Sequence, residues 1–171
     1  RLFIHGRGIQ SITSLTFRPF KDVKEIKIHD TSILELPGNI FLNMPRLNIV
    51  RIFKNPQLLS FPENLFGVES DSNNNNIEVV ELTHNDKVNI LPPTLLSALK
   101  HLKELNIGSN NYSVIPSDLL SKSNCDKLTK LVLKEDFYKC PSGCTRSLPA
   151  QFLESCDKLE EFIYSFHRVH D

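Results

Sequence analysis

The chain has 171 residues, long enough for one domain with a sizeable core, and carries 20 basic against 20 acidic residues. That balance leaves no net field to draw in nucleic acid or an anionic membrane. No apolar run approaches the roughly 18–20 residues that span a bilayer, and no signal peptide opens the sequence, so this segment makes no membrane contact of its own.

The sequence begins inside an apolar alternation, Arg1-Leu2-Phe3-Ile4-His5-Gly6-Arg7, which reads as the tail of a partial unit over 1–22. A single frame, L-x-x-L-x-L-x-x-N, then recurs: VKEIKIHDT from Val23, LNIVRIFKN from Leu47, IEVVELTHN from Ile77. It continues as LKELNIGSN from Leu102, LTKLVLKED from Leu128 and LEEFIYSFH from Leu159, in steps of 24, 30, 25, 26 and 31 residues. A second half follows most strands: Leu36-Pro37 with Ile40-Phe41, Phe61-Pro62 with Leu65-Phe66, Leu91-Pro92 with Leu95-Leu96. Ile115-Pro116 with Leu119-Leu120 and Leu148-Pro149 with Phe152-Leu153 complete the set. This is the leucine-rich repeat pattern, and it predicts an α/β solenoid. A parallel sheet lines the concave face of the horseshoe, and the convex side is irregular or briefly helical.

The physics of one unit is simple. Alternation in L-x-L gives a short strand with one buried face, and only stacking on neighbours completes a core. The ninth position turns the chain, where an asparagine amide satisfies backbone groups that the turn leaves free. Asn55, Asn85 and Asn110 form that ladder, with Thr31 and Asp136 as polar substitutes and Arg7 and His167 as poorer fits. No polar cap flanks either end, which predicts a window from a longer solenoid.

The remaining strand positions face the concave side in columns. One reads Phe3, Lys27, Arg51, Glu81, Asn106, Val132, Ile163; the next reads His5, His29, Phe53, Thr83, Gly108, Lys134, Ser165. Beside them runs Gly6, Asp30, Lys54, His84, Ser109, Glu135, Phe166. Lys27, His29, Arg51, Phe53, Lys54, Glu81, Thr83 and His84 are therefore the candidate partner-binding residues, because aromatic and arginine side chains concentrate at the energetic centres of interfaces. His5 and His29 share a column, but no third ligand stands at a convincing spacing for a metal.

The stretch 69–76, Glu-Ser-Asp-Ser-Asn-Asn-Asn-Asn, reads as a polar surface insertion. Asn111-Tyr112-Ser113 is an N-glycosylation acceptor if the protein is secreted. Cys125 and Cys156 occupy one column with Phe20, Met44 and Leu99, a buried apolar position, and as column neighbours they lie within disulfide reach. Cys140 and Cys144 fall in a protruding loop. The favoured pairing is Cys125–Cys156 with Cys140–Cys144; the crossed pairings stay open, as do unpaired buried thiols at Cys125 and Cys156 acting as small apolar fillers. No phosphate loop, zinc-protease helix or serine elbow appears, so neither an enzyme nor a cofactor is expected.

The L-P-x-x-L-F signature, clearest in Phe61-Pro62-Glu63-Asn64-Leu65-Phe66, resembles animal extracellular leucine-rich repeat proteins of the 24-residue type. Within them the chain looks like part of an invertebrate Toll-type receptor ectodomain. The resemblance implies a single-pass receptor whose solenoid engages a cystine-knot cytokine or another protein ligand, and dimerises to signal in innate immunity and development. A secreted or matrix repeat protein that binds other proteins fits the same residues, as does a repeat module attached to an intracellular enzyme or sensor.

Overall fold

A computed structural model describes residues 1–68, 70, 75–136 and 147–167. Seven strands lie in one parallel sheet in chain order: β1 Leu2–Gly6, β2 Glu25–Thr31, β3 Ile49–Phe53, β4 Val79–Thr83, β5 Glu104–Asn106, β6 Lys130–Asp136, β7 Glu161–His167. Each strand pairs only with its sequence neighbours, as expected when every turn of a solenoid adds one rung. The register aligns Phe3, Lys27, Arg51, Glu81, Asn106, Val132 and Ile163 in one row across all seven.

Alternate strand residues point into the core. Ile26, Val50, Val80, Leu105 and Leu131 form one buried row, and Ile28, Ile52, Leu82 and Leu133 another. Leu36, Phe61 and Leu91 close the units from the far side, and Phe17, Phe41 and Phe66 stack at ring distances of 5.8 and 5.7 Å beneath the convex surface. Most of the convex side is turns. Its one helix among the described residues, α1 Lys122–Cys125, starts at Ser121, whose hydroxyl accepts from the Asn124 N–H while the Asn124 amide reaches back to the Ser121 N–H.

The asparagine ladder runs through the buried edge of the sheet. The Asn110 Oδ1 accepts from the Asn85 backbone N–H at 2.8 Å, and the Asn85 Oδ1 accepts from that of Asn55 at 3.2 Å. The Asn55 Oδ1 takes both the N–H and the hydroxyl of Thr31. Each amide nitrogen then donates to a strand carbonyl of the preceding rung: Asn55 to Ile28, Asn85 to Ile52, Asn110 to Leu82. One side chain thus satisfies both a backbone N–H and a carbonyl of the rung before it.

Three sequence expectations are corrected. Gly6 does not stand beside Asp30: the pairing slips after His5, and Gly6, with φ at +115°, aligns with Thr31. A glycine tolerates that backbone, so the slip falls there. Gly108 lies outside its strand, because β5 stops at Asn106. Phe20 is 40% exposed, unlike the buried Met44, Leu99, Cys125 and Cys156 of its column.

The disulfide Cys125–Cys156 joins the last two turns across a Cα separation of 4.2 Å. Cys140 and Cys144 lie outside the described residues, as does most of the insertion at 69–76. The end of that insertion is anchored: the buried Asn75 donates to the Phe66 carbonyl, and Asn76 donates to that of Pro45. Among the described residues no helix is long and apolar enough to cross a membrane.

Candidate functional site

The concave face of β1 to β4 gathers most of the candidate residues into one layer. Three sheet columns meet there: Arg1-Glu25-Ile49-Val79, Phe3-Lys27-Arg51-Glu81 and His5-His29-Phe53-Thr83. Glu25 is a charged residue in the outward row, and its burial was not visible in the sequence. Its carboxylate meets Arg1 at 2.8 Å, Lys27 at 3.4 Å and Arg51 at 3.5 Å. The Arg51 guanidinium also donates to Glu81 at 2.6 Å, and the Glu81 carboxylate accepts the Thr83 hydroxyl at 3.1 Å. Six side chains, five on β2, β3 and β4 with Arg1 just before β1, form one network, a device the parallel register permits because charges one rung apart are in reach.

In the third column the rings stack. His5 and His29 are 5.4 Å apart and nearly parallel, and His29 and Phe53 are 4.8 Å apart at an interplanar angle of 9°. Phe53 is half-buried by this stacking and is not an isolated exposed aromatic. Thr83, expected on the docking face, is instead buried. The Lys27 ammonium lies 5.5 Å above the Phe3 ring, a cation–π contact.

Lys54 and His84 stand at the rim. Asp30 near the end of β2, and Lys54, His84 and Ser109 after β3, β4 and β5, each take φ between 53 and 55°. This left-handed column disperses over four residue types, which is why no motif betrayed it. Beside it a groove of about 480 Å³ is lined by Arg7, Asp30, Lys54, Gln57, His84 and Asp86. His29 Nδ1 and the Asp30 carboxylate are 2.8 Å apart, and that hydrogen bond holds Asp30 below the usual aspartate range. Lys54 and Arg7 add smaller contributions of the same sign.

Further along the face, Lys130 pairs with Glu161 at 2.7 Å, and the bond raises the lysine above its ordinary value. Among the described residues no group of three or more His, Cys, Asp or Glu side chains converges as a metal site. Asn111 is half-buried, and its amide nitrogen donates to the Asp86 carbonyl at 2.7 Å.

No protein-family model matches the chain. Among solved structures it is similar to one in the Toll–Spatzle complex, described as a molecular hub in Drosophila development and innate immunity. The TM-score there is 0.55 at 24% identity, covering 77% of this chain and 20% of that one. It is also similar to the leucine-rich repeat domain of the type III effector XCV3220 (XopL). There the TM-score is 0.54 at 20% identity, covering 92% of this chain and 53% of that one. The chain therefore spans a fifth and about half of the two chains it matches. Together with the parallel sheet in chain order, the likeness shows a leucine-rich repeat solenoid fold.

Proposed function

We propose that this chain is a protein-binding segment of a Toll-like receptor ectodomain, in which the concave face of β1 to β4 docks a protein ligand and dimerisation transmits the signal. The observation that carries the reading is the concave layer itself. Its charges are held in fixed positions by one another, and its aromatic rings stand in a row beside them. Preorganised arginine and aromatic groups suit recognition, since little side-chain freedom is lost on binding. The similar Drosophila chain is seen in complex with Spatzle, which supports a protein ligand here, with a cystine-knot cytokine as the candidate.

The Cys125–Cys156 disulfide favours an oxidising compartment, and so an extracellular location, over an intracellular repeat module. A secreted or matrix repeat protein is the second reading, because the same disulfide and the same face serve it equally. A photo-crosslinker placed at Phe53 tests the docking face, with one at the exposed Glu63 as the control. Cross-links to a cystine-knot cytokine from position 53 and not from 63 support the proposal. Equal yields from both, or yield only from 63, refute it.

A further inference from the structure

The ion-pair layer on β1 to β4 also bears on what chemistry the docking face selects. Its carboxylates lie deeper than the cations they hold. Glu25 has a side-chain exposure of 8%, whereas Arg1, Lys27 and Arg51 around it have 74, 28 and 32%. Glu81, at 24%, sits below Arg51 as well. A ligand approaching the sheet meets guanidinium and ammonium groups first.

Lys54 continues this cationic surface on the other side of the His29–Phe53 stack, and it is exposed. Asp30 is the well-exposed acid on β2, and its carboxylate is already bonded to His29, while the exposed Glu104 stands one rung beyond Val79 at the edge of this surface. Arg51 is held by one hydrogen bond to Glu81, with Glu25 at 3.5 Å adding a longer ion pair, so its head group is oriented before any ligand arrives. Between the cations stand the half-exposed Ile49, Val79 and Phe53 and the exposed Phe3. Apolar side chains interleaved with fixed cations match a polypeptide that carries both carboxylates and apolar groups, better than a uniformly sulfated sugar chain.

We infer that the concave face of β1 to β4 binds an acidic, partly apolar segment of its protein partner, with Arg51, Lys27 and Lys54 receiving its carboxylates. This rests on the protein-binding reading of the same face.

Titration calorimetry with short alternating Glu-Leu, Lys-Leu and Ser-Gly peptides, and with heparin, tests it directly. The Glu-Leu peptide binds, the Lys-Leu and Ser-Gly peptides do not, and affinity falls as salt rises. Lys27→Gln and Lys54→Gln together weaken binding about tenfold, the loss expected for a charge-assisted hydrogen bond. Circular dichroism melting confirms that the variants fold, and Lys54→Gln alone serves if the pair does not. Equal binding of the Lys-Leu or Ser-Gly peptide overturns the inference, as does binding of heparin without the Glu-Leu peptide. So does an affinity unmoved by either substitution, or binding by no peptide at all. The docking face itself is judged separately, by the cross-linking at Phe53, so the two claims fail independently.

Discussion

The backbone N–H of Asn85 donates to the side-chain oxygen of Asn110, 25 residues later in sequence and one rung away in space. The Asn85 amide in turn serves Asn55 and the Ile52 carbonyl. Replacing Asn85 by Ala therefore strands two buried backbone groups of the preceding rung, the Asn55 N–H and the Ile52 carbonyl. The expected cost is about 2–6 kcal/mol, from two unsatisfied groups at about 1–3 kcal/mol each. Chemical denaturation checks it, and Asn89→Ala, an exposed residue of the same turn, is expected to leave stability unchanged.

Gly108 shows a different constraint. A Cβ added there would collide with the Lys134 carbonyl oxygen and nitrogen, both backbone atoms that cannot swing away. Gly108→Ala must push β5 and β6 apart. Its cost falls in the range of about 1–3 kcal/mol that overpacking brings. Faster hydrogen exchange in 104–106 and 130–134 is the accompanying sign.

The Cys125–Cys156 bridge closes a sequence separation of 31 residues. Loop-closure entropy for that span gives about 3–4 kcal/mol. The double variant Cys125→Ala with Cys156→Ala is expected to lose that much, with the loss concentrated in the last turn, around β7. Chemical denaturation of the double variant beside the native chain reads that loss.

The Arg51–Glu81 pair is partly exposed, with side-chain exposures of 32 and 24%, so solvent screens it. A double-mutant cycle through Arg51→Gln and Glu81→Gln is expected to give a coupling of about 1 kcal/mol, shrinking as salt rises.

Asp30 supplies the pH dependence. Its folded pKa is held below the ordinary value of about 3.9, first by the His29 hydrogen bond. A depressed carboxyl contributes stability at pH above that ordinary value, and the contribution is lost as pH falls through the folded value. A carboxyl-carbon NMR titration is expected to show Asp30 titrating below the ordinary value and returning towards it in His29→Ala.

The solenoid was legible because its physics is periodic. Alternating apolar residues and the recurring asparagine at Asn55, Asn85 and Asn110 state both the strand and its turn. The site was half legible. Register alone puts Lys27 beside Arg51 and His29 beside Phe53, since every strand repeats the same frame. Glu25 was missed because a glutamate in an outward row reads as solvated. Only the cations of neighbouring strands, Arg1 and Arg51, make its burial tolerable. The left-handed turn at Asp30, Lys54, His84 and Ser109 was missed for another reason: no shared side chain marks it, and the ladder behind it enforces the backbone.

The central claim is that β1 to β4 present the docking face on their concave side. A hydrogen-exchange footprint of the chain with a cystine-knot ligand tests it most directly. Exchange is expected to slow in 2–6, 25–31, 49–53 and 79–83, with the convex turns at 38–43 and 62–67 unchanged. Protection confined to those convex turns would contradict it.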